Sequence, residues 1–183
     1  LYHMAIKTGM RQGELLGLKW SDLSWENGVI KVKRQAQRVT GKGMIFKSPK
    51  TEAGRRSVRL GDSILQILRD HLNCQRLEKE VAGDRWEEVD LVFPTTIGTV
   101  QSPSNLLREF KRLLADAGLE EIKFHCLRHT AASLMLNNGI SVFVVSKVLG
   151  HSQPSTTMNI YGHLIPAQQD DVADLMDELT TPL

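Results

Sequence analysis

Two imidazoles and a guanidinium fall within one short stretch, His125-Cys126-Leu127-Arg128-His129. A third imidazole follows in Leu149-Gly150-His151, and a tyrosine, Tyr161, lies one further short segment downstream. A planar guanidinium presents paired donors that fit two phosphate oxygens at once. Imidazole donates to phosphate or carries a proton near neutral pH. A phenol oxygen can hold a phosphoryl group covalently. Together these groups suit attack on a phosphodiester. The competing use of His125, Cys126 and His129 is zinc binding. It is disfavoured because neighbours at i and i+1 diverge on a helix and no second ligand cluster accompanies them.

The elements around these residues must bring them together. His125 and Arg128 are three apart, so at a helix start they project from one face. The free N–H groups of that helix end add positive potential. The helix continues through Ala131 to Asn138 and stops at Gly139. Ser141 caps the next, whose Val144, Val145, Val148 and Leu149 read as core. Gly150 ends it and presents His151, and a short helix from Pro154 to Ile160 delivers Tyr161. Near the start of the chain, residues 2–8 read as a helix end stopped by Gly9. A second short helix spans Arg11 to Leu18, with Arg11 and Glu14 sharing a face at i, i+3.

The middle of the chain changes period. Val29 to Lys33 alternates apolar and basic, Gly41-Lys42-Gly43 is a turn signal, Met44 to Phe46 begins a return strand, and Arg56 to Leu60 alternates again. This predicts a small three-stranded antiparallel sheet with a basic outer face. From Asp62 to about Val81 the pattern is helical, with Ile64, Leu65, Leu68 and Leu72 as its stripe. Ser104 to Ala117 gives another amphipathic helix, and both read as scaffold, with His71 a solvated position. Residues 167–179 predict an acidic tail helix carrying Val172, Leu175, Met176 and Leu179 on one face. The fold class is therefore α+β, mainly α.

At 183 residues, 41% apolar and 24% charged, the chain fits one soluble domain with a real core. No apolar run approaches a membrane span, and no signal peptide is visible. Cys74 and Cys126 stand far apart, which favours reduced thiols and a cytoplasmic setting. The net charge is only +2, but residues 31–60 hold ten basic residues against Glu52 alone, leaving 13 basic and 20 acidic residues elsewhere. Such asymmetry is the footprint of phosphate-backbone contact. Lys31, Lys33, Arg34, Lys42, Lys47, Arg55 and Arg56 are the expected DNA-binding residues, against the blander reading of a solvated basic hairpin.

The pattern H-x-L-R-H at 125–129, then L-G-H-S at 149–152, then a tyrosine in T-x-x-x-Y-x-H resembles the catalytic half of a tyrosine recombinase of the phage integrase family. Thr8-Gly9-Met10-Arg11-Gln12-Gly13-Glu14-Leu15-Leu16-Gly17-Leu18 resembles that family's first catalytic block. No single piece is specific, but the order, spacing and residue types together are. Cys126 departs slightly from the family pattern, where an acidic or small residue is common.

The resemblance implies the DNA breaking-rejoining fold over residues 1–165, with the tail at 166–183 and an upstream core-binding domain absent from this stretch. It implies a site-specific DNA recombinase acting without metal or nucleotide cofactor. Tyr161 would attack the scissile phosphorus to give a 3′-phosphotyrosyl link and a free 5′-hydroxyl. Arg11, Arg128 and His151 would hold the phosphate, Glu14 would support Arg11, and His125 would accept the Tyr161 proton. His129 reads as a hydrogen-bonded supporting group. Lys50, ahead of Lys47, would protonate the leaving oxygen. The expected partners are double-stranded DNA and further copies of the chain, a tetramer on DNA at full length. The tail would dock on its own or a neighbouring subunit. Two rivals share features of this reading: a non-catalytic DNA-binding regulator on the same fold, and a type IB topoisomerase. The occupation of all six catalytic positions argues against the first. The match around Arg11 and the acidic tail argue against the second.

Overall fold

A computed structural model describes residues 1–49, 51–162 and 179. Lys50, His163 and, apart from Leu179, the predicted tail helix lie outside the described residues. The chain opens with α1 (Tyr2–Thr8) and α2 (Gln12–Leu16), then a 3-10 turn at Trp20–Asp22. Five strands follow: β1 (Leu23–Ser24), β2 (Val29–Val32), β3 (Gln35–Val39), β4 (Gly43–Lys47) and β5 (Arg56–Arg59). The remaining helices are α3 (Asp62–Ala82), α4 (Pro103–Asp116), α5 (Cys126–Asn137), α6 (Val142–Leu149) and α7 (Pro154–Tyr161).

The helices and their stops follow the sequence pattern. Ile64, Leu65 and Leu68 of α3 are buried, and Leu106, Phe110 and Leu114 of α4 bury the stripe expected there. Pro103 occupies the first turn of α4, where its missing N–H costs nothing. Ser141 accepts a bond from the Val144 N–H and caps α6. His71 is half-buried, not the fully solvated position expected. Its Nε2 lies 2.6 Å from the Val92 carbonyl, and its ring stacks on Phe93.

The predicted three-stranded antiparallel sheet is present, but its members differ from those expected. The three-stranded antiparallel sheet is β1-β2-β5, while β3 and β4 form a separate hairpin. The cause lies at the end of β2. Lys33 and Arg34 both turn to the buried Asp22 carboxylate, and Arg34 also reaches the Gly17 carbonyl. This pulls the chain out of the first sheet, so β4 returns along β3, with Ala36 opposite Phe46. The free edge of β2 is taken by β5, with Ile30 opposite Val58. The α2 helix lies directly on β3, where a side chain at Gly13 or Gly17 would strike the Ala36 backbone at 2.9 Å.

Two apolar clusters result. The larger joins α1, α2, the three-stranded sheet, α3 and α4 through Met4, Leu16, Ile30, Leu68 and Phe110. The smaller lies between α5, α6 and α7, and consists of Ala132, Leu136, Val145, Leu149 and Tyr161. The candidate site forms where these two clusters meet.

Candidate active site

Arg11 stands at the N-terminus of α2. Its backbone N–H donates to Glu14 Oε2 at 2.8 Å and its Nη1 to Glu14 Oε1 at 2.9 Å. Glu14 is only 3% exposed. It also accepts from Arg56 Nη1 and Nη2, at 3.1 and 2.9 Å. One buried carboxylate thus holds two guanidinium groups. Burial by itself would raise the Glu14 carboxyl, but the bonds and charge of Arg56, aided by Arg11, outweigh it and hold the group below its usual value. Glu14 thus contacts Arg11 through both its backbone N–H and its guanidinium.

Arg56 does not sit on the outer basic face where the sequence placed it. Its side chain is 6% exposed. Besides Glu14, its Nε donates to the Val148 carbonyl at 2.6 Å. Arg56 therefore ties β5 to α2 and to the last turn of α6. Arg34 is likewise taken inward by Asp22, and Lys33 is shared with the same carboxylate. Lys31, Lys42, Lys47 and Arg55 are exposed as expected.

Two helix-ending glycines receive the site arginines. Gly9 closes α1 and Gly150 closes α6, both in the left-handed conformation, at φ 62° and 71°. The Gly9 carbonyl accepts from Arg128 Nη1 at 2.6 Å. The Gly150 carbonyl accepts from Arg11 Nη2 at 3.4 Å. Arg128 is 4% exposed, and among the described residues its buried Nη2 has no hydrogen-bond partner. Burial, then the charge of Arg11, lowers its pKa to about 10, so it remains cationic at neutral pH.

His151 follows Gly150 directly. Its Nδ1 lies 2.8 Å from Thr157 Oγ1. Burial, then Arg128, Arg11 and Arg56, lower its pKa to about 4, so the ring is neutral at pH 7. With Thr157 on Nδ1, Nε2 has no hydrogen-bond partner among the described residues. Arg11, Glu14, Gly150, His151 and Thr156 line a hollow of about 300 Å³, together with Pro49, Thr51 and Gly54.

Tyr161 is 4% exposed, within the smaller apolar cluster. Burial raises its hydroxyl pKa, while the nearby Arg128 charge pulls it down. Its hydroxyl lies 2.7 Å from His129 Nδ1, not on His125. His125 meets the edge of the His129 ring, with centroids 4.9 Å apart. The assignment of His125 to the tyrosine proton is therefore not matched by contact in this structure. His125 itself is lowered by burial, then by His129, Arg128 and Arg11.

Sequence reasoning missed three residues that shape the site. Asp22, the anchor for Arg34, lies twelve residues from its partner with no local pattern joining them. The inward turn of Arg56 has no signal in an alternating strand. Thr157, the threonine of the T-x-x-x-Y pattern, was given no role, although its hydroxyl lies one helical turn before Tyr161.

The fold is that of tyrosine recombinase catalytic domains. The Tn1549 transposon integrase in complex with circular intermediate DNA matches with a TM-score of 0.78 at 24% identity, over 98% of this chain and 58% of that one. The XerH site-specific recombinase bound to difH substrate matches with a TM-score of 0.65 at 26% identity, over 94% of this chain and 44% of that one. The chain belongs to the phage integrase family, whose model matches residues 1–168. A XerC-like tyrosine recombinase of Caldanaerobacter subterraneus is 40% identical over 98% of this chain and 49% of its own length. The ICEBs1 integrase of Bacillus subtilis is 29% identical over 97% of this chain and 48% of its own length. The chain thus spans about half the length of the curated relatives it matches.

Proposed function

We propose that this chain is the catalytic part of a site-specific DNA recombinase that cleaves and rejoins double-stranded DNA through Tyr161. The observation that carries the proposal is the buried Nη2 of Arg128, which has no partner among the described residues. A cationic donor out of contact with water is costly unless an anion meets it. A scissile phosphate supplies that anion, and Arg11 and the Nε2 of His151 supply further donors. Such fixed donors favour the extra charge of a pentacoordinate phosphorus over the ground state. Tyr161 forms the new O–P bond, the 5′-oxygen departs with the bonding pair, and Lys50 returns a proton to it. The phosphotyrosyl bond keeps the phosphodiester reactive, so a 5′-hydroxyl can reverse the step. Lys31, Lys42, Lys47 and Arg55 contact the DNA backbone, and assembly into a tetramer on DNA belongs to the same proposal.

The test is covalent capture. The chain is mixed with a pool of random-sequence duplexes carrying a 5′-bridging phosphorothiolate, whose sulfur leaves without a protonating group. A denaturant-resistant protein–DNA adduct, located on Tyr161 by mass spectrometry and absent from Tyr161→Phe, is the expected result. Salt-dependent duplex binding with no adduct would instead identify a DNA-binding regulator on the recombinase fold.

A further inference from the structure

We infer that His129 is the group that takes the proton from Tyr161 as the tyrosine attacks phosphorus. This rests on the proposal that Tyr161 is the nucleophile. A phenol at neutral pH is mostly protonated, and here burial pushes Tyr161 further toward the protonated form. The attack therefore needs an acceptor within hydrogen-bond reach. His129 Nδ1 lies 2.7 Å from the hydroxyl. Among the described residues no other hydrogen bond to that oxygen is present. The two rings are joined across α5 and α7, with centroids 5.6 Å apart.

The groups around His129 suit this use. His125, one turn earlier on α5, meets the His129 ring at nearly a right angle, 86° between planes. Arg128, next to it in the chain, places positive charge close enough to favour the phenolate of Tyr161. From α7, Tyr161 itself faces the ring. A neutral His129 with its proton on Nε2 leaves the Nδ1 lone pair for the phenol. The proton then moves from Tyr161 Oη to Nδ1, giving an imidazolium as the O–P bond forms. When the 5′-hydroxyl reverses the step, Nδ1 hands the proton back to the departing phenolate. His125 remains beside the ring as the neighbour that sets its orientation.

Asparagine places a polar atom near the position of Nδ1 yet cannot accept the proton, so His129→Asn separates proton transfer from positioning. In the capture assay the phosphorothiolate removes any demand for a proton on the leaving side. The expected result is adduct formation about a hundredfold slower near pH 7 for His129→Asn, recovering as pH approaches the ionisation of the phenol. Adduct formation by His129→Asn at the wild-type rate and with the wild-type pH profile would overturn the inference. Absence of adduct from the wild-type chain would instead sink the recombinase proposal. A second measurement needs no DNA. With tyrosines labelled at Cζ and Tyr2→Phe leaving one signal, Tyr161 should report an imidazole titration that persists in His125→Asn and vanishes in His129→Asn. A wild-type signal that shows no such inflection, or one that loses it only in His125→Asn, would also overturn the inference. The wild-type and His125→Asn titrations keep the test decisive even if His129→Asn folds poorly.

Discussion

Removing the Arg56 guanidinium should destabilise this domain strongly, because it would leave Glu14 buried with half its partners. In Arg56→Ala, Glu14 loses two bonds of 3.1 and 2.9 Å, and the Val148 carbonyl loses one of 2.6 Å. Breaking a buried ion pair from one side costs about 3–5 kcal/mol, since the surviving charge stays desolvated. Arg11 still contacts Glu14, which points to the lower end, about 3 kcal/mol. For a domain of this size that corresponds to a Tm lower by roughly 10 °C. The assay is thermal unfolding followed by circular dichroism at pH 7, with Glu14→Gln and the double variant completing a cycle. Coupling between the two sites should be about 1–3 kcal/mol. The pH dependence gives a second check. The folded Glu14 carboxyl lies below its ordinary 4.5, so the unfolded chain binds its proton first as pH falls. The ion-pair stability is therefore present above about that value and is lost as pH falls through the lower folded one. The gap between wild type and Arg56→Ala should narrow in acid. An Arg56→Ala protein within about 0.5 kcal/mol of wild type, or a strictly additive cycle, would refute this account of the site's foundation.

Other perturbations follow from the same geometry. His151, held at about 4 in the folded state against an ordinary 6.5, opposes folding once the unfolded ring protonates, so stability should fall between pH 6.5 and 4. That decline should be shallower in His151→Gln by urea unfolding. Gly150→Ala should destabilise by about 1–3 kcal/mol in the same measurement, because φ is +71° and the added carbon would meet Arg56 Nη1 at 2.8 Å and the Ala53 carbonyl at 2.9 Å. Replacing Lys31 and Lys47 by alanine should weaken duplex binding across sequences, and should reduce the log–log salt slope by about one for each phosphate left without its lysine.

The helices were legible because their signals are local. Gly9, Gly139 and Gly150 each follow a periodic run, and Ser141 precedes one, so ends and starts could be read within a few residues. Arg11, Arg128, His151 and Tyr161 could be singled out because their order and spacing resemble the family's catalytic blocks. What could not be read was the pairing of distant groups. Alternation in residues 29–60 predicts strands but does not say that Asp22 captures Arg34 and sends β3 and β4 into their own hairpin. The same alternation places Arg56 on an outer face, whereas Glu14 draws it inward from 42 residues away. His125 and His129 are equally good imidazoles in sequence, and only the packing of α7 on α5 decides which one meets Tyr161.

The bonds that assemble the arginines of the site are long-range in the chain. Arg128 reaches Gly9 across 119 residues, Arg11 reaches Gly150 across 139, and Arg56 reaches Val148 across 92. A chain emerging from the ribosome has the first arginine long before it has either carbonyl on the far side. The tyrosine arrives last of all. No partly folded intermediate that lacks the closing bonds between the two ends holds a competent set of donors around a nucleophile. On the proposed function, strand breaking therefore belongs to the finished fold, and a chain that stalls or misfolds on the way there lacks the assembled site while keeping its basic strands.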